Sequence, residues 1–251
     1  MIPEKLLKKW FDEYEIKARL IPGIILCLPL FFLGIAVPKE WFSKVSLLVG
    51  ETVIFIAFCK ILMGLAQTAG NKYQDKIKKE WNGLPSTRFL RKEDPKYSLE
   101  FKEKVVGKVK ELLEINLDIE NDLSINTAFS AIKTYLHKYD KDKKWQKFNI
   151  EYGFHRNLSG LRLWLISSHM FALILYVSLD YLKFAVLSGA VLVLWGIILM
   201  VLLIVSYTSP RSCRINSEHY ADSTIMTFYE MPVEKHIAGS VMAKNYKDME
   251  T

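Results

Sequence analysis

The sequence predicts an all-α membrane protein: two transmembrane helical hairpins, four spans in all, with a helical cytoplasmic insertion between them. Three observations predict it. Long stretches of the 251-residue chain are almost free of charge, while one central stretch is dense in Lys and Glu. Four of those apolar stretches come close to, or exceed, the roughly 20 residues needed to cross a hydrocarbon core. The basic residues flanking them fall largely on one side. The averages are 51% hydrophobic and 24% charged, with 34 Lys+Arg against 27 Asp+Glu and a net charge of +7. This composition excludes a disordered tail protein, and the 3 cysteines exclude a small secreted domain held by disulfides. The basic excess reads as a topology signal, so direct nucleic-acid binding is not expected.

Residues 1–19 form a cytoplasmic amphipathic N-terminus. MIPEKLLKKWFDEYEIKAR is too long and too acidic for the basic region of a signal peptide, and no A-x-A site follows, so the first span is expected to be retained. The first hairpin covers 20–66. Its first span runs from Leu20 to Val37, with Pro29 predicting a kink. Its second span runs from Val45 to Ala66 and is apolar except for Glu51 and Lys60.

The cytoplasmic domain covers 67–160. The second span continues as a helix to Asn82-Gly83, a C-terminal signal. GLPSTRFLRKEDPKYS is then an irregular connector with a short helical turn after Ser86. Ser98 caps a helix reaching about Asp118, in which Phe101, Val105, Val109, Leu112 and Leu113 recur at helical spacing. A second helix runs from about Ser124 to Tyr139, with Ile125, Ala128, Phe129, Ile132, Tyr135, Leu136 and Tyr139 on one stripe. DKDKKWQKF ends it as a solvated turn.

The second hairpin covers 161–207. Its spans are Leu161 to Leu179, with Arg162 at the edge and His169 inside, and Phe184 to Tyr207. The tail, 208–251, carries a helix around Ser217 to Tyr229 whose Tyr220, Ile225 and Phe228 pack on the cytoplasmic bundle. The connections PKEWFSK and DYLK are short, so both hairpin tips face one side. Lys72, Lys76, Arg156, Arg162, Arg211 and Arg214 are among many basic residues on the other, against only Lys39, Lys44 and Lys183 at the tips. The positive-inside bias therefore puts both termini in the cytoplasm. Cys27, Cys59 and Cys213 fit no metal spacing and read as free thiols.

No phosphate-binding, dinucleotide, zinc-protease or serine-hydrolase motif occurs, and no nucleophile stands beside a plausible base. Catalysis is not expected, nor is a cofactor or metal. Two constellations remain. Apart from Arg19, every Arg lies in a junction segment: Arg88 and Arg91, then Arg156 and Arg162, then Arg211 and Arg214. They serve either lipid headgroups and ion pairs, or an anion or nucleotide site built from Arg88, Arg91, Arg156 and His155, with Tyr152 or Phe154 stacking on a base. Within the spans, Glu51 and His169 sit about 10 and 16 Å below the outer boundary at 1.5 Å per residue. They could pair across the hairpins as a structural contact, or line a pore. Lys60 can snorkel to the cytoplasmic surface. Small residues including Gly64, Gly189 and Gly196 allow close helix approach and a homo-oligomer.

Gly83, Pro85, Ser86, Thr87, Leu90 and Arg91 form a G-x-P-[ST]-T-x-x-L-R segment. Tyr152, Gly153, Phe154, Arg156, Asn157, Leu158, Gly160, Leu161 and Arg162 form a Y-G-F-x-R-N-L-x-G-L-[RK] segment. In these the chain resembles a set of uncharacterised bacterial four-span membrane proteins, similar to the membrane effectors that accompany anti-phage systems. The resemblance implies a defence component of the bacterial inner membrane and carries over no catalytic residue. The expected function is an effector whose cytoplasmic domain senses a partner protein or a nucleotide and whose spans oligomerise to perturb or permeabilise the bilayer. The alternatives are a constitutive ion channel or small transporter using Glu51 and His169, and a membrane scaffold for a soluble enzyme.

Overall fold

The structure, a computed structural model, describes residues 10–36, 51–181 and 189–232, and these are helical with no strand among them. The helices are α1 (Glu15–Leu20, wound as a π-helix), α2 (Ile21–Ala36), α3 (Glu51–Glu80), α4 (Pro85–Arg88), α5 (Leu99–Leu113), α6 (Asp122–Tyr139), α7 (Lys144–Tyr181) and α8 (Gly189–Glu230). The segments expected as hairpin tips, with Lys39, Trp41, Lys44 and Lys183, and the end of the tail lie outside the described residues.

By packing, the chain forms two compact units, Met1–Pro85 with Lys144–Tyr220, and Ser86–Lys143 with Ala221–Thr251. The hydropathy boundaries at 67 and 160 do not coincide with them. The reason is that polarity changes along α3 and α7 while the helices and their mutual packing continue. α3 runs past Gln67 to Glu80, and α7 begins at Lys144, well before the apolar stretch at Leu161.

In the first unit, α2, α3 and α7 pack on one another, with α1 against all three. Asp12 and Glu15 open the N-terminal segment with a reciprocal capping pair: the Glu15 N–H donates to Asp12 Oδ1 at 2.7 Å and the Asp12 N–H to Glu15 Oε2 at 3.3 Å. Phe11, Leu20, Cys59, Leu62 and Met63 form one apolar cluster. Ala66, Leu158, Leu161 and Leu165 form a second, with Leu26, Phe154 and Val205 against it. α3 stops as its sequence predicts. Asn82 and Gly83 take positive φ (54° and 106°), and the Gly83 N–H reaches back to the Lys78 carbonyl at 2.8 Å.

Among the described residues two helices, α7 and α8, are long and apolar enough to cross a membrane. At 38 and 42 residues they extend about 57 and 63 Å. Only 33% and 22% of their apolar windows are buried, which is the reverse of a core helix in a water-soluble protein. Trp164, Phe171 and Ile174 on α7 and Val193 and Met200 on α8 are each more than 60% exposed. Leaving such side chains in water forfeits about 1.5–3 kcal/mol each, so this surface suits an apolar solvent. α8 is one helix through Pro210 to Glu230, so the expected separate tail helix is its continuation.

In the second unit, α5 and α6 pack together with the end of α8. Ser98 caps α5 by accepting from the Phe101 N–H at 3.2 Å. The helix ends at Leu113, five residues short of Asp118, because Glu114 turns left-handed (φ 56°) and INLDI continues as non-helical chain. α6 starts at Asp122, two residues earlier than expected, because the Asn121 side chain accepts from both Leu123 and Ser124 N–H. Its predicted stripe holds: Ile125, Ala128, Phe129, Ile132 and Leu136 are buried. Ile225 and Phe228 of α8 are fully buried in this unit, and Phe228 meets Tyr135 edge-on at 5.9 Å. The stretch expected as a solvated turn divides in two. Residues 141–144 are exposed, but Trp145 is fully buried as α7 begins.

Candidate functional site

On α7, Gly153, Asn157 and Gly160 follow at i, i+4 and i+7 and share one helix face. The opposing face of α3 carries Ala66, Ala69, Gly70 and Gln74. A β-carbon at Gly160 would collide with the Ala69 carbonyl, and one at Gly70 with the Asn157 carboxamide, so the two helices meet nearly backbone to backbone. Asn157 is fully buried and donates through Nδ2 to the Ala18 carbonyl at 2.6 Å. Its Oδ1 accepts from Arg156 Nε and Nη2 at 3.3 and 3.2 Å. Arg156 Nη1 in turn donates to Gln74 Oε1 at 2.6 Å. The seam thus joins α1, α3 and α7 through polar groups that satisfy one another away from water.

Arg156 is only 9% exposed and pairs with no carboxylate among the described residues. Its guanidinium lies 5.8 Å from the Tyr152 ring centroid. Tyr152 stacks on Tyr220 with the rings 9° from parallel and 6.2 Å apart, so its ring face is taken by another tyrosine rather than offered to a base. Burial raises the phenol pKa of both tyrosines and pushes the Cys213 thiol up to about 12. Cys213 is therefore a protonated core thiol at neutral pH, not a nucleophile. Burial also lowers the His155 imidazole below its ordinary range. The neighbouring Phe154 packs on the Ala66 cluster. Arg162, half-buried, lines a groove of 480 Å³ between α3 and α7.

Arg88 and Arg91 lie in the second unit, so neither unit contains the expected cluster of Arg88, Arg91, Arg156 and His155. Both arginines are already engaged by carboxylates. Arg88 Nε is 3.0 Å from Asp94 Oδ2. Arg91 grips Asp122 with both prongs, Nε to Oδ1 at 2.8 Å and Nη2 to Oδ2 at 2.7 Å, which raises its pKa. Thr87 hydrogen-bonds to Asn126. Lys102, 1% exposed, donates its ammonium to the carbonyls of Arg91, Lys92 and Asp94 at 2.7, 3.3 and 2.5 Å. The arginine-bearing connector is thereby held as a fixed loop.

Among the intramembrane candidates, Glu51 opens α3, and its side chain lies outside the described residues, so its pairing with His169 does too. His169 is fully buried, with Nδ1 2.8 Å from the Leu165 carbonyl of its own helix and no partner at Nε2 among the described residues. Lys60 sits 3.6 Å from Glu15 and over the Phe11 ring at 4.7 Å, which ties α3 to the N-terminal segment. No group of three or more His, Cys, Asp or Glu able to hold a metal occurs among the described residues.

Reading by residue type singled out the arginines and missed Ala18, Gly70, Gln74 and Lys102. The spacing of Gly153, Asn157 and Gly160 was a visible signal for the first three. Lys102, a lone lysine on an otherwise apolar stripe of α5, carried the only signal for the fourth. No protein family, curated protein or solved structure matches the chain.

Proposed function

We propose that this chain is a four-span protein of the bacterial inner membrane, with both termini cytoplasmic. It would act as an effector whose cytoplasmic helices take a signal from a partner protein and whose spans, assembled as a homo-oligomer, perturb or permeabilise the bilayer. The observation that carries the reading is the continuity of α8. Its first half exposes apolar side chains and its last turns bury Ile225 and Phe228 in the second unit. A rearrangement around those last turns has a stiff path to the apolar half. α2 and the start of α3 carry the other two apolar stretches, and α2 packs on α3 and α7, consistent with a second pair of spans.

A protein is favoured over a nucleotide as the signal because the arginines expected to hold phosphate are committed to Asp94, Asp122 and Gln74. The defence role rests on the resemblance of the two motif segments. In bacterial cells carrying the chain and challenged with phage, a potential-sensitive dye should report depolarisation that is absent from cells without it. Unchanged potential on challenge and on strong overexpression would sink the proposal.

A further inference from the structure

The groove between α3 and α7 combines two chemistries in one 480 Å³ space, within the range of small-ligand clefts, about 300–1,000 Å³. Its apolar end is lined by Leu26, Leu65 and Trp164, with Leu65 and Trp164 49% and 70% exposed. Its polar end is lined by Lys72, Arg162 and Ser159. Lys72 lies seven residues beyond Leu65 on α3, about 10 Å along the axis at 1.5 Å per residue. That spacing suits a headgroup phosphate and the upper part of its acyl chains.

The polar end has unused capacity. Neither Lys72 nor Arg162 forms an ion pair among the described residues. The Ser159 hydroxyl, 2% exposed, is turned to the Tyr73 phenol rather than to the groove. At Gly160 α7 touches α3 backbone to backbone, which closes the inner wall of the groove.

We infer that this groove binds one anionic glycerophospholipid, its phosphate held by Lys72 and Arg162 and its chains laid against Leu26, Leu65 and Trp164. The inference rests on the reading that α3 and α7 leave the bilayer at this level. An acidic peptide fits less well, because most of the lining is apolar surface of the kind that faces lipid elsewhere on α7.

The test is native mass spectrometry of the full chain in neutral detergent, offered equal amounts of phosphatidylglycerol and phosphatidylcholine. The wild type should retain phosphatidylglycerol preferentially. Lys72→Gln/Arg162→Gln should cut that preference by about five-fold per charge removed, roughly 25-fold in all. Lys78→Gln/Lys79→Gln, outside the groove, and the charge-preserving Lys72→Arg/Arg162→Lys should keep it. Equal retention of the two lipids by the wild type would overturn the inference. So would an unchanged preference in the glutamine pair, or displacement of the lipid by millimolar inorganic phosphate, which would mark a site for free phosphate. A chain found in the soluble fraction after detergent-free lysis would defeat the membrane reading itself, whereas a membrane-bound chain with no headgroup preference would defeat only the lipid site.

Discussion

Two regions rich in arginine and small polar residues, similar on paper, are built on opposite principles. The seam of the first unit, around Gly153, Asn157 and Gly160, is steric. Glycine lets two helices touch, and Arg156 and Asn157 are then satisfied by neutral partners in the space left. The loop of the second unit, from Thr87 to Asp94, is electrostatic. Its arginines meet carboxylates near the surface, and a buried lysine gathers its carbonyls. A steric seam tolerates almost no added atom. A charged loop can lose one partner and keep the rest.

The largest expected effect follows from that difference. Gly160→Val should destabilise the chain by about 3 kcal/mol or more, because the added atoms meet the Ala69 backbone and no flexible side chain can yield. Thermal unfolding in detergent measures it. Gly64→Ala is the control: a β-carbon there meets nothing within 4 Å, so it should be neutral or gain up to about 1 kcal/mol from helix propensity. Equal loss in the two variants would erase the distinction between seam and open helix surface.

Lys102→Met should come next, at about 2–3 kcal/mol, since it strips the ammonium donor from the carbonyls of Lys92 and Asp94 and leaves that of Arg91 with only the Asp94 N–H. Limited proteolysis should find new cleavage between residues 88 and 98. Arg91→Ala should cost only about 1 kcal/mol, because Asp122 is 52% exposed and water screens the pair. A double-mutant cycle with Asp122→Ala isolates that coupling, and a value above about 3 kcal/mol would show that the loop is more than an electrostatic clasp.

The smallest effect appears only in alkali. Tyr97, which donates to Asp222 at 2.5 Å, has its pKa raised by burial first and by that carboxylate second. Tyr152 and Tyr220 are raised chiefly by burial. In each case the folded chain holds its proton where the unfolded chain releases it. Stability is therefore complete below about pH 10 and declines as pH rises above it. Tyr97→Phe should flatten that decline, and tyrosinate absorbance during alkaline unfolding follows it.

Much of the helical plan was legible because its signals are local. Ser98, Asn82-Gly83 and the Ile125–Leu136 stripe act within one or two turns, and each behaves as its chemistry dictates. The early end of α5 was not legible, because a left-handed Glu114 has no strong signature. The unbroken course of α7 and α8 was obscured for another reason. Hydropathy marks where the surroundings change, and a helix crossing from polar to apolar surroundings need not end there. The candidate site suffered most. Arginine by itself announces anion binding, and only the carboxylates of Asp94 and Asp122, brought in by the fold, reveal that the need is already met.

The continuity of α8 is the central claim, and one variant tests it directly. Inserting Gly-Gly-Ser between Arg211 and Ser212 breaks the stiff connection between the apolar half of α8 and its last turns while leaving both sequences intact. Membrane potential under phage challenge is the readout, with membrane fractionation as the check on insertion. The account predicts that the inserted chain stays in the membrane fraction and no longer depolarises cells. Depolarisation equal to that of the uninterrupted chain would contradict it.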